Sequence, residues 1–430
     1  MISALKGTWA LMLGVLLLQL GNGLQGTLLG VRGSLESIEP ATMGYIMSGY
    51  FVGFLGGSKI TPELIRRVGH VRVFAALGSL VSAVFILYAL WVNAYYWFVL
   101  RVLVGLCFSG LYVVAESWLN DSADNETRGT LLSVYLIAQM IGIISGQMLL
   151  NIADPAGHVL FIVISVAVSV SFFPILLSVS PAPFFHAAKP LTIRELFHAS
   201  PLGVVGTLLI GAIFSALFGM SAVYASEVGY SVAQVSYFIA AIYVGGLVLQ
   251  YPIGWLSDRM DRRRLIILCS LIGALTALVP IMMPVNLLGL LMIAFFVGGM
   301  ANPLYSLLIA HTNDFLEREQ MAAASGSLLF VNGVGAMGGP IIVGYIMNQA
   351  GAQGFFMFIL GIFGAIVLYG IYRMTRRQTN DETVPLMATL PSRGSAVFAE
   401  LATEVVIDEM EHAEEEQLRD GSNGTDAERQ

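Results

Sequence analysis

The sequence predicts an all-α polytopic membrane protein, with twelve transmembrane helices in two six-helix bundles and both termini in the cytoplasm. Three observations carry this: the scarcity of charge, the spacing of apolar runs and the one-sided placement of basic residues. Of 430 residues, 57% are hydrophobic and only 11% charged, where a soluble domain carries about 25% charge. Mean hydropathy is +0.78. Apolar runs of about 20 residues, the length needed to cross a bilayer core, recur along the chain.

In order, these runs cover residues 8–30, 41–59, 71–93, 95–118, 130–152 and 157–179, then 202–226, 233–256, 264–284, 287–311, 321–347 and 354–375. The first follows Lys6 as a signal peptide would, but it is about 20 residues long and has no small-x-small cleavage signature, so it reads as a retained span. Residues 1–180 make the N-terminal bundle and 201–375 the C-terminal one. Between them, 181–200 form a cytoplasmic linker, where Thr192 and Glu195 have capping-box spacing ahead of Leu196 and Phe197 and predict a short surface helix.

Orientation follows from alternate loops. One side holds Lys6, Lys59, Arg66, Arg67, Arg72, Arg128, Lys189, Arg194, Arg259, Arg262, Arg263, Arg264, Arg318, Arg373, Arg376 and Arg377; the other holds Arg32 alone. Sixteen against one puts the first side in the cytoplasm. Residues 376–430 then form an acidic cytoplasmic tail, mostly disordered, with its acids at Asp408, Glu409, Glu411, Glu414, Glu415 and Glu416. The apolar patch at 405–407 before that run is a candidate docking helix for a cytoplasmic partner. The net charge of −7 reflects this tail, so nucleic-acid binding gets no support. Cys107 and Cys269 both lie inside apolar runs and predict neither a disulfide framework nor a metal site.

The chain repeats itself. A shift of 192 residues lays Arg67 on Arg259, Gly69 on Asp261 and Gly53 on Gly245; a shift of 193 lays Gly142 and Gly146 on Gly335 and Gly339, and Asn120-Asp121 on Asn313-Asp314. Two related six-span halves are what secondary transporters commonly show, with a solute site where the halves meet. The stretch Gly254-Trp255-Leu256-Ser257-Asp258-Arg259-Met260-Asp261-Arg262-Arg263-Arg264 resembles the loop signature of the major facilitator superfamily: glycine, three residues, aspartate, arginine, a spacer, glycine, then paired bases. The resemblance covers about residues 8–375. Asp261 stands where the second glycine is usual, and in the first copy Pro62 and Arg66 stand at the glycine and aspartate positions. The run Ala115-Glu116-Ser117-Trp118-Leu119-Asn120 is also similar to the YcaD-like bacterial branch of that family.

The resemblance implies gating by Gly254, Asp258, Arg259 and Arg262, with Asp314 or Asp121 as partners, and by Arg66, Arg67 and Arg72 in the first copy. The alternative is that these bases only set topology. Gly49, Gly53 and Gly57, and Gly335, Gly339 and Pro340, mark close helix contacts; the resemblance pairs these two helices across the halves.

Arg101 lies about two turns into the fourth span, where an ionised group is costly and by default a functional candidate. Arg101-x-x-x-Gly105 resembles the family's fourth-helix motif, which implies proton coupling or substrate contact; snorkelling to the headgroups is the alternative. Glu116 is 15 residues farther along, about 22 Å at 1.5 Å per residue, too far to bond Arg101. It reads as a coupling carboxylate or as a structural partner of Arg66, Arg67 or Arg128. Glu227 and His311 are weaker proton-site candidates. Polar and aromatic residues predicted inside the bundle, Asn22, Gln25, Tyr112, Gln139, Gln250, Asn302, Tyr305 and Asn332, suggest a solute cavity, with interhelical bonding as the rival reading.

No phosphate-binding loop, metal-ligand spacing or catalytic triad is present in the sequence. The expectation is a secondary active transporter of the bacterial inner membrane, not an enzyme, working by alternating access on a small polar or anionic solute. It needs no cofactor, with protons as the candidate coupling ion, and acts as a monomer in contact with lipid. The alternatives are a receptor or scaffold signalling through its tail, a multidrug efflux protein or a lipid flippase.

Overall fold

The computed structural model describes residues 2–121, 125–177, 191–376, 395 and 402–407. Most of the tail, including the acidic run from Asp408, lies outside these, as do Lys189, Arg377 and the side chains of Lys6, Asp121, Arg128 and Arg318. The described elements are helical because apolar backbone in lipid must satisfy its own hydrogen bonds. They are α1 (Ile2–Leu35), α2 (Pro40–Val68), α3 (His70–Leu87), α4 (Ala94–Asp121), α5 (Asn125–Leu149), α6 (Val159–Leu177), α7 (Ile193–Ala199), α8 (Pro201–Gly219), α9 (Ser221–Glu227), α10 (Val232–Ser257), α11 (Arg262–Met282), α12 (Leu287–Asn313), α13 (Arg318–Ala350) and α14 (Gly354–Met374).

Among the described residues ten helices are long and apolar enough to cross a membrane. Alongside them run α2, with Lys59, Glu63, Arg66 and Arg67 in its last third, and the shorter apolar α6. The span expected over 202–226 is broken at Met220 into α8 and α9. Ser221 donates its hydroxyl to the Leu217 carbonyl at 2.6 Å, a back-bond that bends helices. The first two helices run past their expected ends, α1 to Leu35 and α2 to Val68. Thr192 and Glu195 do form a capping box at the start of α7. The Thr192 hydroxyl and then its N–H hold the Glu195 carboxyl below the usual carboxylate range.

Helices α1–α6 pack mainly on one another, and so do α8–α14, with α2 on α4 mirrored by α10 on α12 and α1 on α5 mirrored by α8 on α13. The sequence repeat reappears in the contacts themselves. A Cβ added to Gly53 would collide with the Val102 carbonyl, and one at Gly245 with the Phe295 carbonyl; Gly142 sits against the Leu16 carbonyl and Gly335 against the Leu208 carbonyl. Each residue of the first pair maps to its counterpart by 192 or 193 positions.

The two groups meet through α2 on α13, α1 on α9 and α5 on α10. At the end away from the basic loops this joint is close: Gly44 lies against Pro340, Gly344 against Pro40 and Gly30 against Ala222, while Asn151 donates to Ser236 at 3.2 Å. At the basic end α2 and α13 stand farther apart, around a cavity of about 70 Å³ lined by Tyr50, Phe54, Ser58, Leu329 and Asn332. The joint is thus closed at one end and hollow at the other.

Because helices in lipid associate by contact rather than by a hydrophobic drive, Gly53→Val or Gly245→Val should each cost about 1–3 kcal/mol or more through overpacking. Gly56→Val, at a site with nothing within 4 Å of an added Cβ, should cost little. Thermal loss of the folded peak in detergent size-exclusion chromatography checks this.

Candidate functional site

Two charged sites stand out, one at mid-depth and one at the basic end. At mid-depth, α4 buries Arg101 to 5% exposure, which its charge tolerates only with partners. Its guanidinium donates to Gln25 Oε1 from α1 and to Met47 Sδ at 3.0 Å from α2, and lies 5.3 Å from the Tyr50 ring centroid. A cation over an aromatic face gains further stabilisation when desolvated.

Next to Arg101 lies a cavity of about 20 Å³ whose lining comes from both helix groups: Asn22, Thr27 and Arg101 from the first, Phe218, Gly219 and Tyr243 from the second. The α8–α9 break falls beside Gly219, in keeping with irregular backbone at membrane depth lining a cavity. The Gln25 Nε2 group is buried and has no hydrogen-bond partner among the described residues, so Gln25 keeps two donor hydrogens for another molecule.

A polar chain runs from this cavity into the first group. Asn22 donates to the Tyr112 hydroxyl at 3.1 Å, Tyr112 donates to Gln19 Oε1 at 2.7 Å, and Gln19 donates to Gln139 Oε1 at 3.1 Å. Asn22, Gln25, Tyr112 and Gln139 therefore gather around α1 near Arg101. The remaining four candidates do not join them. Asn332 lines the larger cavity and donates to the Thr207 carbonyl at 3.3 Å. Asn302 packs against Gly246, where α12 crosses α10. Tyr305 is buried, its hydroxyl without a partner among the described residues. Gln250 is half-buried on α10 and does not line the central cavity.

Sequence reasoning missed Gln19, Thr27, Gln147, Met47 and Tyr243. The first two were within reach: Gln19, Asn22, Gly23, Gly26 and Thr27 fall at helical spacing and form one small, polar stripe on α1. Thr27 donates to Gln147 Oε1 at 2.6 Å.

At the basic end, Asp261 caps α11 by accepting the Arg263 N–H at 2.9 Å, which explains an acid where a glycine is usual. Arg262 is 2% exposed. It donates to Asp314 at the end of α12, to the Ala310 carbonyl at 3.4 Å and to Ser257 at 3.2 Å, with Asp258 at 3.9 Å. Asp258, Arg262 and Asp314 thus converge beside buried Gly254 on α10. Arg259 does not; its guanidinium lies 4.1 Å from the Trp255 ring centroid. These contacts join α10, α11 and α12, all of one helix group.

The first copy is different. Arg66 and Arg67 pair with Glu63 of their own helix at 2.7 and 2.6 Å, their side chains 77% and 70% exposed, and Arg72 is exposed. Exposed pairs of this kind contribute about 0–1 kcal/mol. None of the three meets an acid of another helix among the described residues, so they form no counterpart of the Arg262–Asp314 latch.

Glu116 does not take Arg66 or Arg67 as a partner. It is fully buried, accepts the Tyr135 hydroxyl at 3.0 Å from α5, and accepts the Ser395 N–H at 2.9 Å and the Ser395 hydroxyl. Glu227 is exposed at the end of α9, and His311 is buried against the Phe315 ring.

The sequence model of the Major Facilitator Superfamily matches residues 11–247 and, overlapping, 204–406. Two relatives are uncharacterized MFS-type transporters. One, from Enterobacter sp. (strain 638), is 26% identical over 358 residues, covering 82% of this chain and 92% of its own. The other, YcaD of Escherichia fergusonii, is 26% identical over 376 residues, covering 86% and 96%. Among solved structures, a mutant form of the nucleoside transporter NupG superposes with TM-score 0.74 at 13% identity, over 85% of this chain and 99% of that one. A bacterial homologue of the human lysosomal transporter Spinster, in an inward-facing occupied conformation, gives 0.66 at 14%, over 92% and 96%. These two likenesses carry the fold alone.

Arg262→Ala should cost about 3–5 kcal/mol by leaving Asp314 buried and uncompensated. The Arg262→Ala/Asp314→Asn pair should cost clearly less than the sum of the two single changes, as directly coupled charges do. Detergent melting midpoints of the three variants measure this.

Proposed function

Because the chain belongs to the Major Facilitator Superfamily, and so is a transporter rather than an enzyme, we propose that it moves a small polar solute across the bacterial inner membrane by alternating access. In this reading α1–α6 make one half and α8–α14 the other, with α8 and α9 together forming one broken span. Twelve spans then place both termini and the basic loops in the cytoplasm. The boundaries are 1–180 and 201–375, joined by 181–200.

The observation that carries the proposal is the buried Arg101, held by Gln25, beside a cavity that both groups line. A guanidinium there offers donors to a carboxylate, a phosphate or a neutral carbonyl, and Asn22, Gln25 and Thr27 add neutral donors and acceptors. A solute bound between the halves has different contacts in each state. That difference is what lets it shift the equilibrium between them. With the end away from the basic loops closed by α2 on α13 and α1 on α9, this reading takes the state as cytoplasm-facing. Glu116, the carboxylate buried on α4, is the candidate for proton coupling in this reading.

Reconstituted protein should take up members of a panel of nucleosides, sugars and small organic acids, NupG supplying the reason to include nucleosides. Arg101→Ala should lower that flux roughly tenfold or more, the worth of one hydrogen bond to a charged group, while the protein stays monodisperse. Arg101→Ala flux equal to wild type would sink the assignment of the site. No flux for any solute, with a cytoplasmic protein bound through residues 378–430, would favour a receptor instead.

A further inference from the structure

Glu116 is a buried carboxylate within a membrane helix, and such a group is retained only where donors reach it. One donor, Tyr135, comes from the neighbouring α5. Two come from the far end of the sequence, 279 positions away: the backbone N–H and the hydroxyl of Ser395. Ser395 is itself 1% exposed. It lines the 70 Å³ cavity between α2 and α13, next to Tyr50, Phe54 and Ser58. A tail residue therefore sits inside the bundle, not on its surface.

The chain is anchored again just beyond. Residues 402–407 are helical, with Ala402, Thr403, Val405 and Val406 buried. Thr403 and Ser325 of α13 share a hydrogen bond of 3.0 Å. Val406 packs with Met321 of α13, with Leu316 and Ile407 at the edge. Val405 faces α5, its Cγ1 lying 3.5 Å from where a Cβ on Gly129 would be. The segment thus touches α4 and α5 of one group and α13 of the other, at the end where the two groups stand apart. The apolar patch at 405–407, for which the sequence left both an unstructured tail and docking on a partner open, packs on its own chain.

We propose that the tail segment carrying Ser395 and residues 402–407 is an autoinhibitory plug, in which Ser395 fills a Glu116 site that accepts hydroxyl and amide donors presented from the cytoplasm. The inference rests on the transporter reading for its consequence, though not for its geometry. Bridging both halves at the open end bars the solute path and opposes the rearrangement that would close that end. A tethered ligand competes at the high effective concentration that its linker sets, of millimolar order for short flexible linkers. A free solute with hydroxyl or amide groups must exceed that to displace it. The plug therefore sets a threshold for transport from the cytoplasmic side.

The test uses the full chain with Ser325→Cys and Thr403→Cys, whose hydroxyls lie at a separation that suits a disulfide; Cys107 and Cys269 are buried. Mild oxidation in inverted membrane vesicles should cross-link the pair, with the linked peptides identified by mass spectrometry. Adding Ser395→Ala, a change on the tail that leaves the bundle core intact, should slow cross-linking about tenfold, as loss of a hydrogen bond to a charged group predicts. An unchanged rate overturns the role of Ser395. In a separate full-length Ser58→Cys protein, a membrane-impermeant maleimide should label the cavity several-fold faster when Ser395→Ala is added. Equal labelling overturns the plug. Neither readout needs a known substrate, so both stand if the flux assay fails. Should flux be found, a cross-linked plug that transports at the reduced rate overturns autoinhibition and leaves the transporter reading intact.

Discussion

The architecture depends on backbone meeting backbone without side chains between. In lipid, a leucine face gains nothing by leaving a hydrocarbon tail for another helix, so association rests on short-range contact. Gly53 and Gly105 let α2 and α4 approach to where each carbonyl occupies the other's Cβ space, and Gly245 and Gly298 do the same for α10 and α12. Gly142 and Gly146 seat α5 against α1, as Gly335 and Gly339 seat α13 against α8. The glycines recur at offsets of 192 or 193 because the contacts they permit recur. The two groups are therefore packed in the same way.

At that joint the chemistry is uneven by depth. Near the end away from the basic loops, Gly44, Gly344 and Gly30 bring α2 to α13 and α1 to α9. At mid-depth, Arg101 and the amides of α1 bond to other helices of the first group and line a cavity that both groups face. Toward the basic end the α2–α13 contact thins to Leu55 on Gly333 and Lys59 over the Phe330 ring at 4.8 Å. The joint is thus close-packed at one end and lined by cavities over the rest.

How far the sequence was readable follows from which signals are local. Span positions depend on runs of apolar residues, and a run is visible in one dimension. Arg101 was visible because a lone charge in such a run is costly wherever it points. The repeat offset led from Asn120-Asp121 to Asn313-Asp314, and Asp314 is where Arg262 lands. What stayed hidden depends on rotation about a helix axis. Asn302 and Tyr305 share a face by spacing, yet that face turns to α10 and the bundle core instead of the central cavity, and no periodicity tells one buried side from another. The partner of Glu116 was hidden for a different reason. It lies 279 positions away in a polar segment whose composition reads as disordered, and a single buried serine leaves no mark on composition.

The unequal loop copies and the tail fit together electrostatically. The second half buries the Arg262–Asp314 pair at its basic end, with the more exposed Asp258 at 3.9 Å, and so joins α10, α11 and α12. In the first half Arg66 stands where that aspartate would be, and the bases turn outward to Glu63 at little gain. At the depth where α4 carries Glu116, the repeat offset puts buried Ile309 on α12. At these matched positions the first half carries an acid where the second carries an apolar side chain, and Ser395, the described tail residue that reaches the acid, does so with its hydroxyl and its N–H. A hydroxyl or an amide that donates to a carboxylate makes a charge-assisted bond, about twice as strong as one between neutral groups. Any other hydroxyl or amide donor that reached Glu116 would compete for the same two oxygens. The basic end is thus asymmetric: an ion pair joins helices of the second half, and a contact with the tail occupies the acid of the first.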